Sequence, residues 1–80
     1  MKRCYITFSA KNAAQEGYLL HTAAKILNEL QAMGTGCRLV PAVPPWQLAM
    51  EAWGDGRYIK EQVLDLYDRR KGTVLITEDP

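Results

Sequence analysis

The side chains with the most chemical capacity in this chain fall into three small groups. They are Ser9, Lys11 and Asn12; the basic run Arg69-Arg70-Lys71; and the two cysteines, Cys4 and Cys37. The turn Ser9-Ala10-Lys11-Asn12 follows an alternating segment and precedes a helical one. A helix N-terminus reached from the carboxyl end of a strand presents free N–H groups to anions, and Lys11 would add charge. The turn lacks the glycines that let a backbone wrap phosphate, so the alternatives are a small anion or nucleotide site and an ordinary capped turn. Arg69, Arg70 and Lys71 could contact nucleic-acid phosphates, together with Lys2, Arg3 and Arg38; their plainer role is a solvated helix end matched to the dipole.

The remaining chemistry is sparse. His21 is the one histidine, and its helical position beside Lys25 and Asn28 places it on a solvated face. With no Cys-x-x-Cys spacing, two cysteines and one histidine do not make a four-ligand zinc site, so no metal and no cofactor are expected. Cys4 and Cys37 read as buried, reduced thiols, or as a cross-strand redox pair if their strands are adjacent. Glu51, Asp55, Glu61, Asp65 and Asp68 recur at helical spacings, as exposed-helix charges do, with no nucleophile or base beside them. No catalytic set is present, and a non-enzymatic protein is expected.

The elements that position these residues follow from periodicity. Arg3 to Ser9 alternates, with Cys4, Ile6 and Phe8 on one side and Arg3, Tyr5, Thr7 and Ser9 on the other, which predicts a half-buried strand. Asn12, with Gln15 and Glu16 behind it, reads as the cap of a helix over 13–33. Leu19, Ala23, Ile26, Leu27, Leu30 and Met33 form its core stripe, and Gly34 and Gly36 its left-handed exit. Cys37 to Val43 predicts a second strand, placed at an edge or cut short by Pro41. After Pro44-Pro45, the spacing of Trp46, Ala49, Met50 and Trp53 matches one face of a helix. Asp55 can cap a further helix over 57–71, and Thr73 to Thr77 is a last strand.

The expected architecture is an α/β (or α+β) two-layer sandwich in one domain over 1–80. A three-stranded sheet carries its helices on one face, in the order β-α-β-α-α-β, with the first two strands joined by a right-handed parallel crossover. The helices should cover Cys4, Ile6, Phe8, Leu39, Val74 and Ile76. The opposite face should carry Arg3, Tyr5, Thr7, Arg38, Val40, Leu75 and Thr77 and stay bare.

Composition narrows the function further. The chain has 80 residues, 48% apolar and 24% charged, with a formal charge of +1. That balance suits an ordinary globular domain and argues against a dedicated nucleic-acid binder. A chain this short buries only about 60% of its unfolded surface, so an association would add welcome stability. No apolar run is long enough to span a membrane, no secretory signal is evident, and a cytoplasmic location is expected. A bare sheet face, open edges and missing catalytic chemistry favour a protein–protein interaction module, an inhibitor or adaptor occupying a surface of a larger protein or complex. Tyr5, Arg38, Val40, Leu75 and Trp46 are the expected contact residues. Trp53 reads as core more than as interface, while Trp46 serves equally as core or as a binding aromatic. A homodimer through the open face or an edge is a further expectation. In size and character, though not through any motif, the chain resembles the small accessory proteins with which phages block host machinery, including anti-CRISPR proteins. That resemblance implies an inhibitor acting in a host cytoplasm.

Overall fold

The computed structural model describes residues 2–40 and 47–79. Strand β1 (Lys2–Ala10) leads through a 3-10 turn (Ala13–Gln15) into helix α1 (Glu16–Ala32) and strand β2 (Gly36–Val40). Strand β3 (Gln47–Gly54), helix α2 (Gly56–Leu66) and strand β4 (Gly72–Glu78) follow. The strands lie in the order β2-β3-β1-β4, with every neighbouring pair antiparallel. β1 and β2 therefore run parallel with β3 inserted between them. This βαββαβ order is the split βαβ, or ferredoxin-like, arrangement.

Alternation in β1 places Cys4, Ile6 and Phe8 beneath the helices, each fully buried. Register extends that layer to Ala52, Met50 and Leu48 of β3 and to Ile76 and Val74 of β4. Helix α1 closes it with Leu19, Thr22, Ala23, Ile26 and Leu30, and α2 with Ile59 and Val63. Tyr67, just past α2, tilts against Phe8 and Tyr18 at ring-centroid distances of 5.1 and 5.6 Å. Both helices thus sit on one face of the sheet.

The local signals that worked have visible bonds. Asp55 Oδ1 accepts from the backbone N–H groups of Arg57 (3.0 Å) and Tyr58 (3.5 Å), capping α2. Gly34, at φ +87°, ends α1. Thr35 N–H donates to Leu30 O (2.9 Å) and Gly34 N–H to Gln31 O (3.0 Å), the paired bonds of a Schellman motif.

Several expectations are corrected. The sheet has four strands, because Ala49, Met50 and Trp53 belong to a strand rather than a helix. Helix formers dominate Gln47–Gly54, yet pairing on both sides with β1 and β2 overrides their propensity. Helix α2 stops at Leu66, five residues before Lys71. The cause is Asp68, whose Oδ1 accepts from Arg70 N–H (3.0 Å) in a local turn while Lys71 N–H donates to Asp68 O (3.0 Å). Asn12 precedes the 3-10 turn without a side-chain cap bond, and Gly36 opens β2 instead of supplying positive φ. Met33 (67% exposed) and Leu39 (40%) lie outside the core. β2 ends at Val40, and Pro41 to Trp46 lie outside the described residues.

Cys4 and Cys37 are not on adjacent strands, since both stand beside Ala52 from opposite sides of β3. Two strand spacings of roughly 4.8 Å each separate them, beyond the reach of a disulfide. Cys37 Sγ instead lies 3.6 Å from Leu27 O, and burial pushes its thiol pKa up, away from the reactive thiolate.

Candidate functional site

With both helices on one side, the other face of the sheet is built from the alternate residues of all four strands. Register sets Arg3, Tyr5, Thr7 and Ser9 of β1 against Trp53, Glu51, Ala49 and Gln47 of β3. On the far side of β3, Arg38 stands beside Glu51 and Val40 beside Ala49. On the far side of β1, Thr77, Leu75 and Thr73 stand beside Tyr5, Thr7 and Ser9.

The centre of this face is polar and tightly paired. Glu51 is only 6% exposed although it lies on the face no helix covers. Arg3 Nη1 reaches its Oε2 at 2.6 Å, and Arg38 donates to its Oε1 through Nε (3.0 Å) and Nη2 (2.8 Å). Arg3 Nη2 also pairs with Asp79 Oδ2 at 2.6 Å. Hydrogen bonds from Arg38 and then Arg3 hold the Glu51 carboxyl below the usual carboxylate range, and Glu51 in turn pushes Arg3 further up. Two guanidiniums thus screen one carboxylate from water. They are also fixed by it, since charge-assisted forks leave little rotamer freedom.

Around that centre stand larger side chains. The Arg3 guanidinium lies 5.7 Å from the Tyr5 ring centroid, and Tyr5 and Trp53 are both half-buried. They stand diagonally across β1 and β3, with the Trp53 ring lying toward Gly36 of β2. Leu75 is 65% exposed and forms the apolar wing toward β4; Val40, half-buried beside Ala49, forms the one toward β2. Trp, Tyr and Arg are the residue types in which binding energy concentrates.

Of the expected contact residues, Tyr5, Arg38, Val40 and Leu75 share this face, while Trp46 lies outside the described residues. Sequence reasoning missed Glu51 and misplaced Trp53. Taking 47–54 as a helix made Glu51 a solvated charge and inclined Trp53 toward the core. Read with a period of two, Ala49, Glu51 and Trp53 fall on one side, and that signal was present.

The other candidate residues do not converge. Arg69 and Arg70 are exposed on the turn after α2, where Arg70 is held by Asp68 (3.0 Å), and Lys71 Nζ sits 4.7 Å over the Tyr18 ring. Ser9, one residue before the end of β1, lies on the uncovered face, whereas Lys11 and Asn12 are exposed in the following turn. His21 lies on the outer surface of α1. Among the described residues, no group of three or more His, Cys, Asp or Glu could hold a metal, and no helix is long and apolar enough to cross a membrane.

No family model and no curated protein matches the chain. Among solved structures it is similar to "De novo designed protein Ferredog-Diesel", with a TM-score of 0.53 and 18% identity over 95% of this chain and 82% of that one. At that identity the likeness is one of fold: a small α+β domain with two helices laid on one side of a four-stranded antiparallel sheet.

Proposed function

We propose that this chain is a small, non-enzymatic interaction module that acts by docking its uncovered sheet face onto another protein, as an inhibitor or adaptor. The observation that carries the reading is the pre-organised cluster at the middle of that face. Arg38, on β2 with 69% of its side chain exposed, is oriented by the nearly buried Glu51 of β3, with Val40 next along β2, Trp53 diagonally across on β3 and Tyr5 on the far side of Glu51. A fixed guanidinium flanked by aromatic and aliphatic side chains offers binding at low entropic cost. The phage-type inhibitor is the specific form this module takes in the reading, with a host protein as the target and the cytoplasm as its place of action.

The test is association of the tagged protein with its target in extract, compared across variants. Tyr5→Ala and Arg38→Ala should each weaken a stoichiometric, salt-tolerant complex by tenfold or more, the range of about 1.4 kcal/mol and above expected at hot spots. Both variants should keep the folded spectrum. Normal binding by both would remove this surface from consideration.

A second reading has one observation in its favour. Tyr5 and Trp53 on the two central strands resemble a stacking platform for single-stranded nucleic acid, with Arg69, Arg70 and Lys71 as added cations. Against it, Glu51 and Asp79 already engage Arg3 and Arg38 on that face. Binding of an oligonucleotide that falls steeply with added salt would favour this reading over the first.

A further inference from the structure

We propose that β4 is a homodimerisation edge, pairing antiparallel with β4 of a second copy about a two-fold axis at Leu75. The inference does not rest on the docking role of the sheet face. It rests on the edge itself. β2 and β4 are the two edges of the sheet. β2 is five residues long, contains Arg38, and is followed in sequence by Pro41, all features that blunt an edge. β4 has none of these. It runs seven residues, Gly72–Glu78, in unbroken register with β1, without proline, lysine or a bulge until its last residue brings a charge.

The hydrogen-bond phase fixes which groups face outward. Asp79 N–H donates to Arg3 O at 2.9 Å, so the bonded pairs to β1 recur at every second residue. Thr77, Leu75 and Thr73 therefore turn their backbone groups toward β1, and Ile76 and Val74 turn theirs to the outside.

A two-fold antiparallel pairing sets residue i of one copy against j of the other and j against i, so a strand whose residue types match about its midpoint pairs like with like. Thr73-Val74-Leu75-Ile76-Thr77 does so. With Leu75 on the axis, Val74 faces Ile76 of the second copy, and these are the residues whose N–H and C=O groups point outward. They form narrow pairs that exchange both bonds, while Leu75 meets Leu75 and Thr73 meets Thr77 in the closer, non-bonded positions. Phase and side-chain identity together select this register. The product is a continuous eight-stranded sheet whose two uncovered faces merge across Leu75.

Sedimentation velocity over a concentration series tests this. The wild type should pass from 9.0 kDa toward twice that mass as concentration rises. Leu75→Lys and Leu75→Glu should each remain monomeric, because like charges meet on the axis. Both should stay folded by circular dichroism, since Leu75 is 65% exposed. Mixing the two variants should restore the dimer, and mixed Thr73→Cys and Thr77→Cys proteins should crosslink where neither does alone. A wild type that stays monomeric throughout would overturn the proposal. So would Leu75→Lys dimerising like the wild type, or charge-swapped variants that fail to pair on mixing.

Discussion

Truncating Ile6 and Leu75, which lie on neighbouring strands but opposite sides of the sheet, should give sharply different losses. Ile6 is fully buried at the centre of β1, between Met50 and Ile76, under the helices. Ile6→Ala removes three carbons, and at about 0.8 kcal/mol per buried methylene the transfer loss is about 2.4 kcal/mol. The surrounding layer is pinned by strands on both sides and collapses only in part, so the residual cavity adds about 1 kcal/mol. A loss of about 3–4 kcal/mol follows, against a total stability of about 4–12 kcal/mol for a domain of this size. In melting temperature that is a fall of roughly 12–32 °C. Leu75→Ala, on a side chain 65% exposed, should cost about 0.5 kcal/mol or less when measured on the monomer. Thermal and urea unfolding of both variants at low protein concentration read the difference directly. Equal losses at the two positions would refute the one-sided burial from which the figures come.

Four further outcomes are expected. Gly34→Ala should lose about 1–2 kcal/mol in urea unfolding, purely from forcing a side chain to φ +87°, because no atom lies within 4 Å of the new methyl. Gly72→Ala should be at least as damaging for a different reason: its methyl would run into Ser9 O and sit 2.6 Å from the Tyr67 hydroxyl. Tyr67→Phe should be neutral or stabilising by up to about 1 kcal/mol, since the buried hydroxyl has no hydrogen-bond partner among the described residues. A clear loss of stability would show that it has one. Glu51 titrates below the ordinary carboxylate range when folded, so its contribution is present above the unfolded carboxylate pKa of about 4.3 and is lost as pH falls through the folded value. Glu51→Gln should therefore lower the melting temperature near neutrality and flatten its decline in acid, and an unchanged acid limb would remove Glu51 from that role.

What the sequence disclosed, and what it hid, divides along physical lines. β1 was legible because Cys4, Ile6 and Phe8 alternate with polar neighbours, as a strand buried on one side must. The α1 stripe, the Gly34 exit and the Asp55 cap were legible because each is a local signal satisfied by local bonds. The uncovered face was legible for β1, β2 and β4, where alternation alone assigns Tyr5, Arg38, Val40 and Leu75. β3 was not, because its uncovered side mixes Ala49 and Trp53 with Gln47 and Glu51, which blurs the alternation against Leu48, Met50 and Ala52. Its Leu, Ala, Met and Glu are helix formers, and the spacing of Ala49, Met50 and Trp53 satisfies a helical template by coincidence. That one misreading moved Glu51 from the middle of the candidate surface to a solvated helix and made Cys4 and Cys37 look like strand neighbours. The end of α2 was hidden differently. Leu66 and Tyr67 continue the apolar spacing, but the helix ends because Asp68 N–H donates to the distant Tyr18 hydroxyl (2.6 Å) and the Asp68 side chain bonds ahead to Arg70.

The account stands or falls on which surface of the folded chain meets its target. Photo-activated crosslinkers placed one at a time at Tyr5, Arg38 and Leu75, and at His21 and Lys25 on the outer surface of α1, decide this in a single series read by mass spectrometry. Adducts to one protein of defined mass from the three sheet positions, with none from the helix positions, are the predicted result. Adducts arising from His21 and Lys25 while the sheet positions stay unreacted would contradict the account.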